Sequence, residues 1–226
     1  MNIIRKVSEK PWLPQADDVS EGQLATHPKV PSERIALRFF LAVVGVVFFL
    51  FIITFLNRSQ YPDFVALAGQ PWQPFTNPSQ LWANTLLLFT GSLALHLTRV
   101  VARRNADNTI LFFLALSVFL SYLFILAQLS VWKELIVNGY GLALNPANSF
   151  FYLLTGIHGV HLLGGLCVLL SVSYNFWGNK SRTKLRASIA LCASYWHFLF
   201  VIWLVLFALL TATPETFNAI ASVCGF

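Results

Sequence analysis

Five long apolar stretches, separated by short polar connections, constrain this chain more than any other feature of its sequence. They cover Ile35–Leu56, Leu81–Val101, Ile110–Trp132, Ser149–Trp177 and Arg186–Thr211. Each is as long as or longer than the roughly 20 residues that a helix needs to cross a hydrocarbon layer. Charged residues make up only 11% of the 226, whereas a soluble domain carries about 25%. The sequence therefore predicts an all-α membrane protein, folded as a five-transmembrane-helix bundle.

The charges between these stretches predict how the helices are oriented. Lys and Arg concentrate in the first 34 residues, after the second stretch and before the fifth, whereas the opposite connections carry only Arg58 and Lys133. The positive-inside rule then predicts a cytoplasmic N-terminus and a periplasmic C-terminus. We divide the chain into a cytoplasmic polar tail (1–34), a five-helix domain (35–213) and an outer tail (214–226). The net charge of +6 is explained by topology, so we expect no nucleic-acid partner.

Acidic residues are missing from all five stretches. Proton relays and ion pumps commonly use intramembrane carboxylates that change charge, so a stand-alone pump or antiporter is disfavoured. The cysteines Cys167, Cys192 and Cys224 show no spacing typical of an iron–sulfur or dinuclear copper site. The missing carboxylates thereby favour an accessory or structural role.

Histidines within the apolar stretches allow two interpretations. His158 and His161 share one face of the fourth predicted helix, and His197 lies in the middle of the fifth. Facing imidazoles on two helices, such as His158 and His197, could hold a haem or another metal centre. Alternatively, neutral imidazoles join neighbouring helices by hydrogen bonds that lipid cannot supply. The spacing favours the structural interpretation without excluding the other.

Two motifs resemble subunit III of the haem–copper terminal oxidases, the cytochrome c and quinol oxidase family. The fourth stretch is similar to the family pattern FF-x-x-x-T-G-x-H-G-x-H, and the fifth to WHF-x-D-x-x-W preceded by tyrosine. A polar Asn-Thr pair at the start of the second stretch also matches. The residues that carry the resemblance are Asn84, Thr85, Gly156, His158, Gly159, His161, Tyr195, Trp196, His197, Phe198 and Trp203.

The resemblance implies a short, five-helix form of this subunit, a multi-pass protein of the bacterial inner membrane. It implies that the chain is non-catalytic and itself holds no haem, copper or substrate. Its expected partners are the haem–copper subunit I, subunit II and membrane lipid, with phospholipid bound to the chain. Its expected role is to support assembly, proton uptake and durability of an oxidase that reduces oxygen to water.

The sequence departs from the family pattern at three carboxylate positions, which fall at Gly45, Val131 and Phe200. None of these residues ionises, so carboxylate-dependent behaviour is not carried over. Three alternatives stay open at this point. The electron donor could be cytochrome c or a quinol, the partner enzyme could be a nitric oxide reductase, or the chain could be a small haem-binding or carrier protein of the membrane.

Overall fold

The computed structural model describes residues 32–61, 79–104, 107–177 and 182–212, together with 216, 219, 220 and 222. Packing divides the chain into Met1–Ile35 and Ala36–Phe226. Within the described residues the first unit contributes only the opening turn of helix α1. Most of the two predicted tails, and with them Cys224, lies outside the described residues.

Five helices long and apolar enough to cross a membrane make up the described structure, which contains no strand. They are α1 (Ser32–Ser59), α2 (Ser79–Val101), α3 (Asp107–Val137), α4 (Pro146–Trp177) and α5 (Arg182–Leu210), with a 3₁₀ turn at Ala102–Arg104 between α2 and α3. The prediction of an all-α, five-helix membrane protein is confirmed.

The turn between α3 and α4 shows how local sequence sets the helix ends. Helix α3 closes with a Schellman motif, in which Tyr140 N donates to Leu135 O at 2.8 Å and Gly139 N donates to Ile136 O at 3.1 Å. Gly139 adopts φ of 85°, a left-handed conformation that suits glycine. Helix α4 then starts at Pro146, whose missing N–H costs nothing at a first helical position.

Helices α2 and α3 form the most extensive packed pair, α5 packs against both α2 and α4, and α3 also touches α4. Helix α1 joins this group mainly through large side chains: Val44, Phe48 and Phe55 are buried on one face. Its most apolar segment is the least buried of the five, and that of α2 is the most buried. Small and polar residues within a span allow helices to approach each other, and in the sequence they concentrate in α2, α4 and α5, whereas α1 is almost entirely apolar. This pattern predicts that α2, α4 and α5 face protein and that α1 exposes much of its surface, in agreement with these exposures.

Candidate functional site

Helix α5 presents three polar-tipped rings to hydroxyl groups on its neighbours. Trp203 Nε1 donates to Thr85 Oγ1 on α2 at 2.9 Å, and Trp196 Nε1 donates to Ser121 Oγ on α3 at 3.2 Å. On α2, the Oγ atom of Ser92 lies 2.6 Å from Nδ1 of His197. Both indoles are almost completely buried, at 0–1% exposed, so these bonds form where no lipid or water competes.

Three further hydrogen bonds join other neighbouring pairs of helices. Asn84 Nδ2 donates to Gln128 Oε1 at 2.9 Å, between α2 and α3. Trp132 Nε1 of α3 donates to Thr155 Oγ1 of α4 at 3.2 Å. Tyr195 OH of α5 donates to the His161 carbonyl of α4 at 2.8 Å. We call these six interhelical contacts the polar ladder.

Three hydroxyl groups of the polar ladder each donate one hydrogen bond and accept another. Thr85, Ser121 and Thr155 each donate to the carbonyl four residues earlier in their own helix, at 2.7 Å. The oxygen lone pairs therefore stay free to accept an indole N–H from another helix. Because the hydroxyl hydrogen is bonded within its own helix, the hydroxyl oxygen is held in place as an acceptor for a neighbouring helix. These side chains are short, so fixing them costs little conformational entropy.

Gly165 permits the closest approach between α4 and α5. A Cβ atom at this position would lie 2.5 Å from Tyr195 Cε1 and 2.8 Å from Trp196 Cζ3. Gly156 lies beside Trp132, whose Cη2 would be 3.5 Å from an added Cβ, whereas Gly159 and Gly164 face open space. Of the predicted motif glycines, Gly156 thus borders a ladder tryptophan and Gly159 does not. Gly165 lies outside the residues that carry the family resemblance.

His158 is fully buried, and neither ring nitrogen has a hydrogen-bond partner among the described residues. Three aromatic rings surround it, with centroids 5.2 Å away for Trp203, 6.0 Å for Phe124 and 6.4 Å for Phe48. His161, one turn along, places Nδ1 2.8 Å from the carbonyl of Ile157 in its own helix. We call His158 and its three rings the aromatic enclosure.

The two histidines that sequence analysis considered as facing ligands have different surroundings. His158 lies against the Trp203 ring, whereas the His197 ring is bonded to Ser92. No group of three or more His, Cys, Asp or Glu side chains that could hold a metal ion occurs in the part of the chain that the structure describes. His197 thus has a hydrogen-bond partner on another helix and His158 has ring contacts, while the structural role of both stays a prediction.

The three positions where the family pattern keeps carboxylates are occupied by packing residues. Val131 is buried in the core. The ring of Phe200 lies against that of Phe89 of α2, with centroids 5.7 Å apart and the planes tilted by 47°. A Cβ at Gly45 would lie 3.8 Å from the Phe198 ring, so this glycine of α1 borders a motif residue of α5.

Sequence reasoning missed part of the ladder. Polarity within the spans drew attention to α2, α4 and α5, while α3 contributes Ser121 and Trp132 as partners. A signal was present, because Ser117, Ser121 and Gln128 recur on one face of α3 at helical spacing, and all three are buried.

This fold and this interior define a class of protein. It is a polytopic helical membrane protein whose helices are joined by indole, hydroxyl and carboxamide groups. Residues 10–212 match the family described as Cytochrome c oxidase subunit III. The chain belongs to that family, which confirms the resemblance carried by the motifs on α4 and α5. It is a non-catalytic membrane subunit of a respiratory haem–copper terminal oxidase, part of an electron-transport complex.

Individual relatives come from both donor branches. Over 131 residues the chain is 29% identical to the cytochrome bo(3) ubiquinol oxidase subunit 3 of Buchnera aphidicola subsp. Schizaphis graminum, covering 58% of this chain and 69% of that protein. Over 177 residues it is 27% identical to the cytochrome c oxidase subunit 3 of Thermostichus vulcanus, covering 74% and 85%. The cytochrome c oxidase subunit 3 of a Synechocystis strain is 31% identical over 128 residues, covering 56% and 53%.

Proposed function

We propose that this chain packs beside the haem- and copper-bearing subunit I, together with subunit II, of an oxidase in the bacterial inner membrane. The observation that carries the proposal is the polar ladder, in which all six contacts join helices to one another. Trp196, for example, donates its N–H to Ser121 and is fully buried. Groups engaged in this way stabilise a scaffold, and oxygen reduction at haem and copper takes place on the partner.

We further propose that the scaffold binds phospholipid and supports assembly, proton uptake and the working life of the partner. The exposed side of α1 supports lipid contact, because Phe39, Val43 and Phe49 are 71%, 62% and 61% exposed. Apolar side chains on a spanning helix match hydrocarbon, whereas in water they would form an unfavourable patch.

The experiment compares the purified oxidase with and without this subunit, and a tag on this chain tests whether subunits I and II co-purify. We expect initial oxygen consumption to change little without it and activity to decline faster during turnover. An immediate loss of the initial rate would contradict the scaffold role and point to a direct part in catalysis. Oxygen consumption that does not decline faster without this subunit would contradict the proposed role in working life. Preferential nitric oxide consumption would favour a nitric oxide reductase partner.

The electron donor is tested on the same preparation. Relatives named for ubiquinol and for cytochrome c both match this chain. Reduced cytochrome c and ubiquinol are therefore offered in turn to the complex. We expect the choice of donor to stay the same in preparations lacking this chain, because we place the donor site on another subunit. A visible spectrum of the isolated subunit checks the remaining alternative, and a Soret band there would contradict the expectation that haem is confined to the partners.

The orientation belongs to the same proposal, with the N-terminus cytoplasmic and the C-terminus periplasmic. Cys224 is the last of the chain's three cysteines and lies in the predicted outer tail. A membrane-impermeant thiol reagent should label it from the periplasmic side of intact cells. Replacing Cys224 by Ser provides the control for the other two cysteines. Labelling only from the cytoplasmic side of inverted vesicles would reverse the topology.

A further inference from the structure

One face of helix α3 is exposed from the middle of the helix to its outer end. Residues three or four apart share a helix face. The exposed residues of this face, which we call the α3 stripe, are Phe119, Tyr122, Leu126, Leu129, Lys133 and Ile136. The most apolar segment of α3 is only 28% buried, so that after α1 it is the least covered of the five. Helix α3 therefore presents a second large open surface, beside that of α1.

The middle of the α3 stripe is polar at a depth where lipid is apolar. Tyr122 lies at the midpoint of the apolar stretch Ile110–Trp132 and is 52% exposed. Its hydroxyl has no hydrogen-bond partner among the described residues. Hydrocarbon offers no such partner, and a tyrosine side chain is too short to reach headgroups roughly 15 Å away. The Tyr122 hydroxyl therefore needs an acceptor on another chain.

Other exposed side chains match the membrane at their own depth. Ser130, also exposed on α3, donates to the carbonyl of Leu126 in its own helix at 3.0 Å. Tyr174 is 77% exposed but lies three residues before the end of α4, within reach of headgroups. Near the middle of α1, the exposed side chains Val46 and Phe49 are hydrocarbon. The open side of α1 thus suits lipid, whereas the middle of the α3 stripe does not.

The outer end of the α3 stripe is apolar at a depth where its surroundings are polar. A helix that enters hydrocarbon at Ile110 leaves it after roughly 20 residues, close to Ser130. Ile136 and Val137 lie about two turns further out, yet they are 60% and 75% exposed. Outside hydrocarbon, contiguous exposed apolar side chains mark an interaction surface. The stripe therefore mismatches the membrane at two different depths.

The loop after α3 continues this apolar end and is held in place by hydrogen bonds. Leu142 and Leu144 are 59% and 64% exposed. Ser149 Oγ donates to the Leu142 carbonyl at 2.6 Å, and Leu144 N donates to Gly141 O at 3.3 Å. A pre-formed surface of this kind loses little conformational entropy on binding a protein. Residues 134–149 include no Lys or Arg, the cations that attract a segment to anionic headgroups.

We propose that the α3 stripe and the following loop are the surface that docks on a spanning helix of the haem–copper subunit I. That helix carries a hydrogen-bond acceptor facing Tyr122 at mid-depth. Its apolar side chains continue past the hydrocarbon and cover Ile136 and Leu142. This assignment rests on the proposed function, which puts the chain beside subunit I, and adds the face that makes the contact. The open side of α1 is then left to lipid.

Photo-cross-linking in membranes that contain the assembled oxidase tests which face makes the contact. The photoreactive analogue p-benzoylphenylalanine replaces Phe119 of the α3 stripe or, as the matched control, Phe49 of α1. Both native residues are phenylalanines, 56% and 61% exposed, so the analogue is accommodated similarly at the two positions. After irradiation, mass spectrometry should identify a cross-link from position 119 to subunit I and none from position 49.

A cross-link to subunit I from position 49, alone or together with position 119, would overturn the proposal. A cross-link from position 119 to a second copy of this chain would also overturn it. So would the absence of a cross-link from position 119 while a tag on this chain still co-purifies subunit I. Failure of the proposed function gives a different result, because subunit I would then be missing from the material purified through the tag.

Removal of one hydroxyl tests the acceptor on the partner helix. Tyr122→Phe keeps the ring and deletes only the group that has no partner among the described residues. Subunit I should be released from the tagged chain about threefold more readily in detergent, the size expected for one hydrogen bond between membrane helices. Tyr174→Phe deletes a hydroxyl near the end of α4 and should leave this release at the wild-type level. Equal release from Tyr122→Phe and the wild type, or an equal increase for Tyr174→Phe, would overturn the assignment of an acceptor facing Tyr122.

Discussion

The polar ladder and the aromatic enclosure are adjacent parts of one interior, yet they hold their histidines in different ways. In the ladder, His197 is tied to Ser92 by a 2.6 Å contact. In the enclosure, both nitrogens of His158 lack a hydrogen-bond partner among the described residues, and the ring lies against Trp203, 5.2 Å between centroids. The difference shows that the residue type alone does not define its role in a membrane bundle.

Trp203 joins the two regions. Its N–H serves the ladder through Thr85, while its ring covers His158 and meets Phe124 edge-on at 5.0 Å. An edge-to-face pair of this kind adds about 0.5–1.5 kcal/mol beyond burial of its surface. The enclosure is therefore stabilised by ring packing, and the ladder by hydrogen bonds that fix which helices pair.

The largest effect is expected at Gly165, where the ladder depends on close approach. Gly165→Ala places a Cβ 2.5 Å from Tyr195 and 2.8 Å from Trp196, and both rings are held by hydrogen bonds to other groups. We expect a loss of about 3 kcal/mol in unfolding free energy, at the upper end of the usual cost of overpacking, because the hydrogen bonds restrict how far either ring can move.

The adjacent Gly164 provides the matched control for this substitution. An added Cβ there meets nothing within 4 Å, so Gly164→Ala should be neutral or slightly stabilising. Unfolding of the purified subunit in mixed micelles measures both variants. Equal stability of the two variants would show that α4 and α5 can move apart at little cost. The polar ladder would then not require the close approach at Gly165.

The next prediction compares the polar ladder and the aromatic enclosure directly, with one substitution in each. His197→Leu removes the partner of buried Ser92 and should cost about 1–3 kcal/mol in unfolding free energy. His158→Leu removes two buried nitrogens that have no hydrogen-bond partner among the described residues, and it should change stability by less than about 1.5 kcal/mol. Thermal unfolding of the two variants in one detergent measures the difference. A larger loss for His158→Leu would mean that His158 has a polar partner, such as buried water.

The smallest effect is expected for a single ladder contact. A double-mutant cycle of Asn84→Ala and Gln128→Ala should give a coupling energy of about 0.6 kcal/mol, and at most about 1.7, as for other hydrogen bonds between membrane helices. Thr90 is the control partner, because its hydroxyl donates only to carbonyls of its own helix. Coupling of equal size between Thr90→Ala and Gln128→Ala would show that the cycle reports general loosening of the bundle.

The five helices could be predicted from the sequence because hydrocarbon thickness sets their minimum length. Their ends could not, since backbone hydrogen bonding continues beyond the apolar part. The third stretch was predicted as Ile110–Trp132, and α3 runs over Asp107–Val137. Its first turn holds Asp107, which suits a helix N-terminus, and the helix stops where Gly139 allows a left-handed turn.

The membership of the ladder was predictable only in part. Buried tryptophan and histidine on α5 need partners, and that need can be read from the sequence. Which hydroxyl each one meets depends on how the helices are rotated against each other, so Ser121 was not identified as the partner of Trp196. The structural role of the motif residues, His158 included, stays a prediction that the substitutions above test.

Helix α1 has consequences for the order in which the protein is made. It is synthesised first, yet the side chains it packs against, such as His158, His161 and Phe198, appear more than a hundred residues later. Until α4 and α5 enter the bilayer, α1 must persist as an independent span surrounded by lipid. A helix without packing partners is held in the bilayer only by its own apolar side chains. Helix α1 meets this requirement, because it contains the most apolar segment of the five.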